Sequence, residues 1–379
     1  MPQNKKQLQK RFFTVVFFLL LTIGAFIFYK VIFYAPVAYE LIFKKDIELK
    51  QDAKKNINML LLGIGGGQHD GPLLTDTIIF MSINPEENRV TMVTIPRDLW
   101  VPELQAKINT AYAYAEQKKP GGGLILTKRI VGKILNQDID YGFRIDFNGF
   151  IRAIDMVGGI DIDVERTFDD YEYPISGKET DTCGYEGEEF EKRATAEAQL
   201  EAFPCRYEHL HFEKGYQHMD GETALKYVRS RHAKGPEGTD FARSKRQEKV
   251  INAFKEKIFS AETFLNPIKL VSLYDIFKDS IDTDIKQEEY ADFVKLAEKM
   301  KDAKIESFVL DVGDDAQGRS GLLINPTPSA EYKFQWVIIP RLGNGNYREI
   351  QEYVLCLVEK QNCKISPTVN PQVSQKNSF

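Results

Sequence analysis

The sequence carries no surplus of positive charge, and that lack excludes one class of partner. Its 379 residues hold 50 Lys and Arg against 55 Asp and Glu, for a formal charge of -5 and a pI near 5.8. No chain-wide positive field draws such a protein onto nucleic acid, so any anion site must be local. Glycine and proline, at 26 and 16, are not enriched, and 43% hydrophobic with 28% charged residues excludes collagen and bulk disorder. No repeat with a period of about 20–50 residues is evident, so there is no sign of a solenoid or propeller. The run Gly63-Ile64-Gly65-Gly66-Gly67-Gln68 lacks the further glycine at 68 or 70 that a dinucleotide fingerprint needs, and no Walker lysine follows it. It is expected as a flexible loop above a sheet, carrying His69 and Asp70.

Long apolar stretches occur in one place only. Phe12 to Tyr29 runs for 18 residues without a charge, the lower length for a bilayer span, and follows Lys5, Lys6, Lys10 and Arg11. The run is apolar all round, unlike an amphipathic soluble helix, and shows no clean small-x-small cleavage site. The expectation is therefore a cytoplasmic tail at 1–11, a transmembrane signal anchor at 12–34, a charged linker at 35–55, and a body outside the cell membrane. Cysteine is scarce, with four residues. Local disulfides Cys183–Cys205 and Cys356–Cys363 are the economical pairing of the three that four cysteines allow, and they suit an oxidising compartment. A metal reading of Cys205 with His209 and His211 does not have a standard zinc spacing.

Strands are expected at Ile57 to Leu62, Asp76 to Ile83 and Arg89 to Ile95, the last two forming a hairpin across Asn84-Pro85-Glu86-Glu87-Asn88. Helical patterns follow at 108–117 and 123–135, a strand at 141–145, a helix at 147–157 ended by Gly158-Gly159, and a strand at 160–164. Residues 167–212 are acidic and without clear periodicity, a long surface excursion stapled by Cys183 and Cys205. Further helices are expected at 221–229, 241–259, 267–277, 287–300 and 347–359, with strands near 305–310 and 335–339 and a disordered tail at 366–379. Strands alternating with helices give an α/β fold, a three-layer αβα domain around a central mixed β-sheet. Residues 261–365 are read as completing the same body, because their strands are too few and short for an independent sheet.

Two constellations carry chemistry. Lys226 to Lys257 holds ten basic residues against four acidic ones, a local +6 in a chain of -5. Within it Asp240 occupies an N-cap position, and Arg243 and Gln247 share one face of the helix that follows, a place suited to holding a phosphate; a solvated basic face is the plain alternative. The second pairs Asp76 at the head of one hairpin strand with Arg97-Asp98 at the end of the other, where a carboxylate for a divalent cation and a guanidinium for a phosphate would meet. An ordinary cross-strand salt bridge is the alternative there.

Taken together, NMLLLGIG (58–65), LTDTIIFMSINP (74–85), VTIPRDLWV (93–101), IDYGFRIDFNGFIRAIDMVGGIDIDV (139–164), DGETALKYVRSRH (220–232) and DFARSKRQ (240–247) resemble the LytR-CpsA-Psr family of cell-wall glycopolymer transferases. The resemblance makes 56–260 the catalytic core. It implies a magnesium-assisted phosphotransferase that moves a glycan from undecaprenyl pyrophosphate to a peptidoglycan hydroxyl. Its partners would be the lipid-linked glycan, peptidoglycan and the membrane. Arg97, Arg229, Arg231 and Arg243 map to arginines gripping the pyrophosphate, with Gln247 beside them, and Asp76 to a magnesium ligand. Asp98 and Asp240 match acidic positions that orient those arginines, either of which could serve as a base. Gly65 stands where many members carry a second metal-binding aspartate, so the ion would use Asp70 or His69 from the loop or be held mainly by Asp76 and the substrate phosphates. That departure keeps open a second reading, a non-catalytic binder of polyprenyl phosphates; a third, a hydrolase of the lipid pyrophosphate, differs only in using water as acceptor. A polyprenyl chain would need an apolar slot, for which Leu124 to Leu135 with Phe147 and Phe150 are candidate walls, although plain core packing is the favoured reading of each residue.

Overall fold

Strand β1 (Ile57–Ile64) is apolar on both faces, and all its residues except Leu61 and Gly63 are buried, as in a sheet largely covered on both sides. The structure is a computed structural model and describes residues 46–67, 71–196, 198–258, 280–314, 319–359 and 363–365. The expected anchor at 12–34, the residues His69 and Asp70, the helix expected at 267–277 and the tail from 366 lie outside the described residues. Among the described residues, no helix is long and apolar enough to cross a membrane. The chain divides into two compact units, one of Lys50–Ile285 with Met300–Phe379 and a smaller one of Met1–Leu49 with Lys286–Lys299. The smaller unit contains a helix at Tyr290–Lys299, entered through a 3-10 turn at Gln287–Glu289 whose start is capped by the Glu289 carboxylate, which accepts from the Lys286 amide at 2.9 Å.

In the larger unit β1 is followed by β2 (Thr75–Asn84) and β3 (Arg89–Thr94), the expected hairpin, then by α1 (Thr110–Lys118), α2 (Gly122–Leu135), β4 (Tyr141–Asp146) and α3 (Phe147–Met156). Next come β5 (Ile160–Val164), β6 (Phe168–Pro174), β7 (Tyr207–Phe212), β8 (Gly215–Met219), α4 (Gly221–Arg229) and α5 (Asp240–Ile258). Strands β9 (Ile281–Thr283) and β10 (Lys304–Val309) and helix α6 (Arg348–Val358) complete the unit's main elements. The central sheet has six strands in the order β9-β4-β1-β2-β3-β10. It is mixed, since β4 is parallel to β1 and β10 to β3, while β2 is antiparallel to both its neighbours.

Register decides which side chains face which layer. Leu60, Phe80 and Val93 lie opposite one another on one face, where they pack with Tyr112 of α1, Val131 and Ile134 of α2, and Val354 and Leu357 of α6. The neighbouring positions Met59, Met81 and Met92 form a second cross-strand row on the other face. That face also carries Thr94, whose hydroxyl lies 3.1 Å from that of Ser244 on α5. A second core under α3, α4 and α5 is built from Ile154, Ile162, Phe168, Phe212, Tyr227 and Val250. Helices α3 and α4 approach so closely that a Cβ at Gly221 would lie 2.2 Å from the Ile151 carbonyl oxygen.

Residues 167–212 are not simply a surface excursion. Their two ends pair as β6 and β7 and contribute Phe168, Tyr173, Leu210 and Phe212 to the second core, while the middle carries the disulfide Cys183–Cys205. Alternation there is masked because the outward positions are aromatic or histidine, such as Tyr171 and His209. The other disulfide joins Cys356 to Cys363, so both bonds are the local pairs that spacing favoured. The strand expected at 335–339 is reduced to Ile339–Pro340, paired with Leu323–Ile324, while Ile338 pairs with the segment Asp98–Trp100.

Phe80→Ala tests the assignment of the main core. It should cost about 3–5 kcal/mol in urea unfolding of the protein. A loss under about 1 kcal/mol would show that this face is not the packed one.

Candidate functional site

Strands β1, β3 and β4 run in one direction, so their carboxyl ends share one edge of the sheet, the edge where open α/β sheets bind ligands. Past the end of β3, Arg97 lies against Asp76 of β2, its Nη1 bonded to Asp76 Oδ1. Asp98 adds a second carboxylate, with Oδ2 3.6 Å from Arg97 Nε and Oδ1 accepting from Lys107 Nζ at 2.7 Å. The cross-strand salt bridge is therefore present. Its chemistry is not exhausted by it, since Arg97 Nε is buried without a hydrogen-bond partner. Burial by itself would lower the Arg97 pKa, but Asp76 and then Asp98 outweigh it and hold the guanidinium above its ordinary value. The charge is permanent.

At the end of β4, Asp146 leaves the sheet and caps α3, accepting from the Gly149 amide at 2.8 Å. The loop after β1 folds onto this cap, and Gly66, at φ +66, is the residue that allows it: a Cβ there would lie 2.8 Å from Asp146 Cβ. Phe147, the first residue of α3, carries the Arg229 guanidinium 4.1 Å from its ring centroid. Arg229 Nη1 also donates to Tyr173 Oη at 2.8 Å, and burial keeps that phenol neutral by raising its pKa although Arg229 opposes the shift. Arg229 is thus fixed at the same edge as Arg97.

The segment that delivers Arg229 and Arg231 is held from two sides at Ser230, which is fully buried. Its hydroxyl donates to Asp170 Oδ2 at 2.7 Å, and the same oxygen takes the amides of Arg231 and His232 at 3.1 and 3.2 Å. From the other side Arg246 Nη2 donates to the Ser230 carbonyl at 2.6 Å and Nε to that of Tyr227 at 2.9 Å. Arg246 is itself buried and paired with Glu237 at 3.1 Å; burial pulls its pKa below the ordinary value against the pull of that carboxylate. Neither Asp170 nor Arg246 was singled out from the sequence. The first sits inside the aperiodic acidic stretch and the second inside a basic run, and only a fold distinguishes a buried charge from its neighbours.

Arg243, nearly buried, adjoins Ser244, which ties α5 to Thr94 three residues before Arg97. Gln247 lies one turn further along α5, its Oε1 buried without a partner. Asp240 is the first residue of α5 and not its N-cap, because Thr239 Oγ1 accepts from the Ala242 amide at 3.1 Å, and Asp70 lies outside the described residues. The basic run is otherwise largely a neutralised surface: Lys226 meets Glu208, Lys245 meets Glu248, Lys249 meets Glu165 and Lys257 meets Asp161, all within 3.1 Å. For a magnesium ion the described residues at this edge offer the hard carboxylates of Asp76 and Asp98, a donor set that fits an ion completed by substrate oxygens. Of the expected lipid walls, Leu124, Ile130, Val131 and Ile134 are packed in the main core, Phe147 lies under Arg229, and Phe150 packs on the second core.

The LytR_cpsA_psr family model matches residues 37–331. The chain is 27% identical over 286 residues to the polyisoprenyl-teichoic acid–peptidoglycan teichoic acid transferase TagV of Bacillus subtilis, covering 72% of this chain and 62% of that protein. It is 28% identical over 246 residues to the transferase TagU of Oceanobacillus iheyensis, covering 64% and 63%. The chain thus spans a little under two thirds of the length of these relatives. The crystal structure of B. subtilis TagV superposes with a TM-score of 0.51 at 23% identity, over 81% of this chain and 99% of that one, and so shares the fold.

Removing the Asp170 carboxylate separates scaffold from site. Asp170→Ala strands the Ser230 hydroxyl and the amides of Glu172, Arg231 and His232 and should cost about 2–4 kcal/mol in urea unfolding, whereas Arg97→Ala should cost about 1 kcal/mol or less. Equal losses for the two variants would contradict this division.

Proposed function

The chain belongs to the LytR-CpsA-Psr family, and on that premise we propose that it is a phosphotransferase acting outside the cell membrane, anchored by residues 12–34. It takes a glycopolymer carried on undecaprenyl pyrophosphate and joins it, with one phosphate, to a peptidoglycan hydroxyl. What carries this reading is the pairing of Arg97 with Asp76 and Asp98 at the carboxyl edge of β3, with Arg229 fixed at the neighbouring end of β4.

In the reaction the acceptor oxygen attacks the phosphorus that bears the glycan. The bond from that phosphorus to the bridging oxygen breaks, and undecaprenyl monophosphate leaves with the electron pair. The acceptor's proton passes to a carboxylate, for which Asp98 and Asp240 are the candidates. Phosphoryl transfer asks the protein chiefly for alignment and for neutralisation of charge on the phosphate oxygens. Arg97, Arg229, Arg231 and Arg243 supply both, and no covalent nucleophile is needed. Asp76 would hold a magnesium ion, which supplies further charge neutralisation when bound. The lipid chain would run from this edge over the sheet face of Met59, Met81 and Met92, on which Leu61 and Met81 stay only half-buried. Methionine suits a flexible polyprenyl guest because its unbranched side chain adapts to shape.

Full-chain protein in vesicles with a lipid-linked glycan, magnesium and peptidoglycan should form a glycan–phosphate–peptidoglycan linkage. Chelation should stop it, and Arg97→Ala and Arg229→Ala should each slow it about 100-fold or more. Release of free glycan phosphate without linkage would make the protein a hydrolase. Binding of the lipid pyrophosphate with no turnover, in wild type and in Gly65→Asp alike, would make it a binder.

A further inference from the structure

The outward face of the β6–β7 ribbon carries a cluster that the proposed reaction does not use. His209 and His211 are two apart on β7 and therefore face the same way, while Leu210 and Phe212 between and beside them are buried in the second core. Asp169 on β6 lies directly opposite His211 in register. Both imidazoles converge on one oxygen: His209 Nε2 lies 2.7 Å and His211 Nδ1 2.8 Å from Asp169 Oδ1. Glu213 stands behind, its Oε2 3.0 Å from His211 Nε2, and Tyr171 stacks on the His209 ring at 4.1 Å with 3° between the planes. The backbone of each donor is pinned by a core residue on the opposite face, so the geometry is set by the fold and not by the surface side chains alone.

We propose that Asp169, His209 and His211 form a zinc site on this ribbon, distinct from the magnesium position at Asp76. Two imidazole nitrogens and a carboxylate oxygen are a common zinc donor set, with ligand distances of about 2.0–2.2 Å. An ion taking the place of the shared oxygen requires each imidazole to advance by about 0.7 Å and the carboxylate to swing aside, movements open to half-exposed side chains. Cys205, which the sequence places near these histidines, is engaged with Cys183 and takes no part. The ion would clamp β6 to β7 on the outer side of the strand whose next residue, Asp170, holds Ser230.

The test is calorimetric titration of untagged full-chain protein with zinc chloride at neutral pH in excess magnesium, which competes poorly for imidazole. The expected result is one saturable zinc per chain, with a rise in thermal midpoint. His209→Ala and His211→Ala should each weaken binding about tenfold or more, and His218→Ala, at a histidine paired with Asp161 elsewhere, should leave it unchanged. All three side chains are exposed, and the metal-free melting temperature of each variant checks that it is folded. Absence of saturable binding, or binding unchanged in both His209→Ala and His211→Ala, overturns the proposal.

Discussion

The buried meeting of Asp170, Ser230 and Arg246 is the interaction on which the rest of the candidate site depends. A carboxylate and a guanidinium, both almost without solvent exposure, reach Ser230 from opposite sides. Each would be costly to bury alone. Here the costs are met by backbone donors and acceptors of one short segment, and Glu237 closes the charge on Arg246. The segment leaves α4 at Ser230 with φ -52 and ψ 129, so the arginines on either side emerge from a fixed bend. A guanidinium carried on a loop loses rotamer freedom when it grips an anion. Fixing the backbone and stacking Arg229 on Phe147 removes part of that loss in advance.

Seen this way, the basic segment 226–257 has three jobs. Four of its lysines pair with carboxylates, Lys245 within α5 and Lys226, Lys249 and Lys257 with neighbouring segments, and make a solvated surface. Arg246 is a structural clamp. Arg229, Arg231 and Arg243 remain as the set placed by the clamp and by the Thr94–Ser244 contact. A net charge summed over the segment mixes these jobs, and mutating cations by position in the run would mix scaffold damage with loss of anion contact.

Much of the frame was legible in the sequence. The β2–β3 hairpin, the helices at 122–135 and 221–229 and the contact of Asp76 with Arg97 follow from period, turn residues and antiparallel geometry. The disulfides follow from spacing. What was not legible is which polar residues are buried. Asp170 looks like its neighbour Asp169, yet strand alternation sends one inward to Ser230 and the other outward to His209 and His211. Reading that alternation needs the pairing partner, and β7 lies 33 residues beyond β6 across a disulfide-stapled insertion. Composition and local pattern do not carry information over such a gap.

The glycine at 65 bears on the charge balance of the edge. Under the proposed reaction the guest brings several negative charges, and Asp76 and Asp98 already lie beside Arg97. Another carboxylate there would have to be offset by a bound cation before the anion could enter. With Gly65 the described residues at this edge lean toward positive charge, which under the proposed reaction complements the charge the pyrophosphate brings. The loop then has freedom of a different kind. Gly66 and Gly67 both adopt positive φ, which lets the chain turn back over the Asp146 cap and close against the Pro72 carbonyl. Under that reading a tight glycine turn at the end of β1 stands where the family resemblance led one to expect a carboxylate, and anion binding rests on how rigidly Arg97 and Arg229 are held.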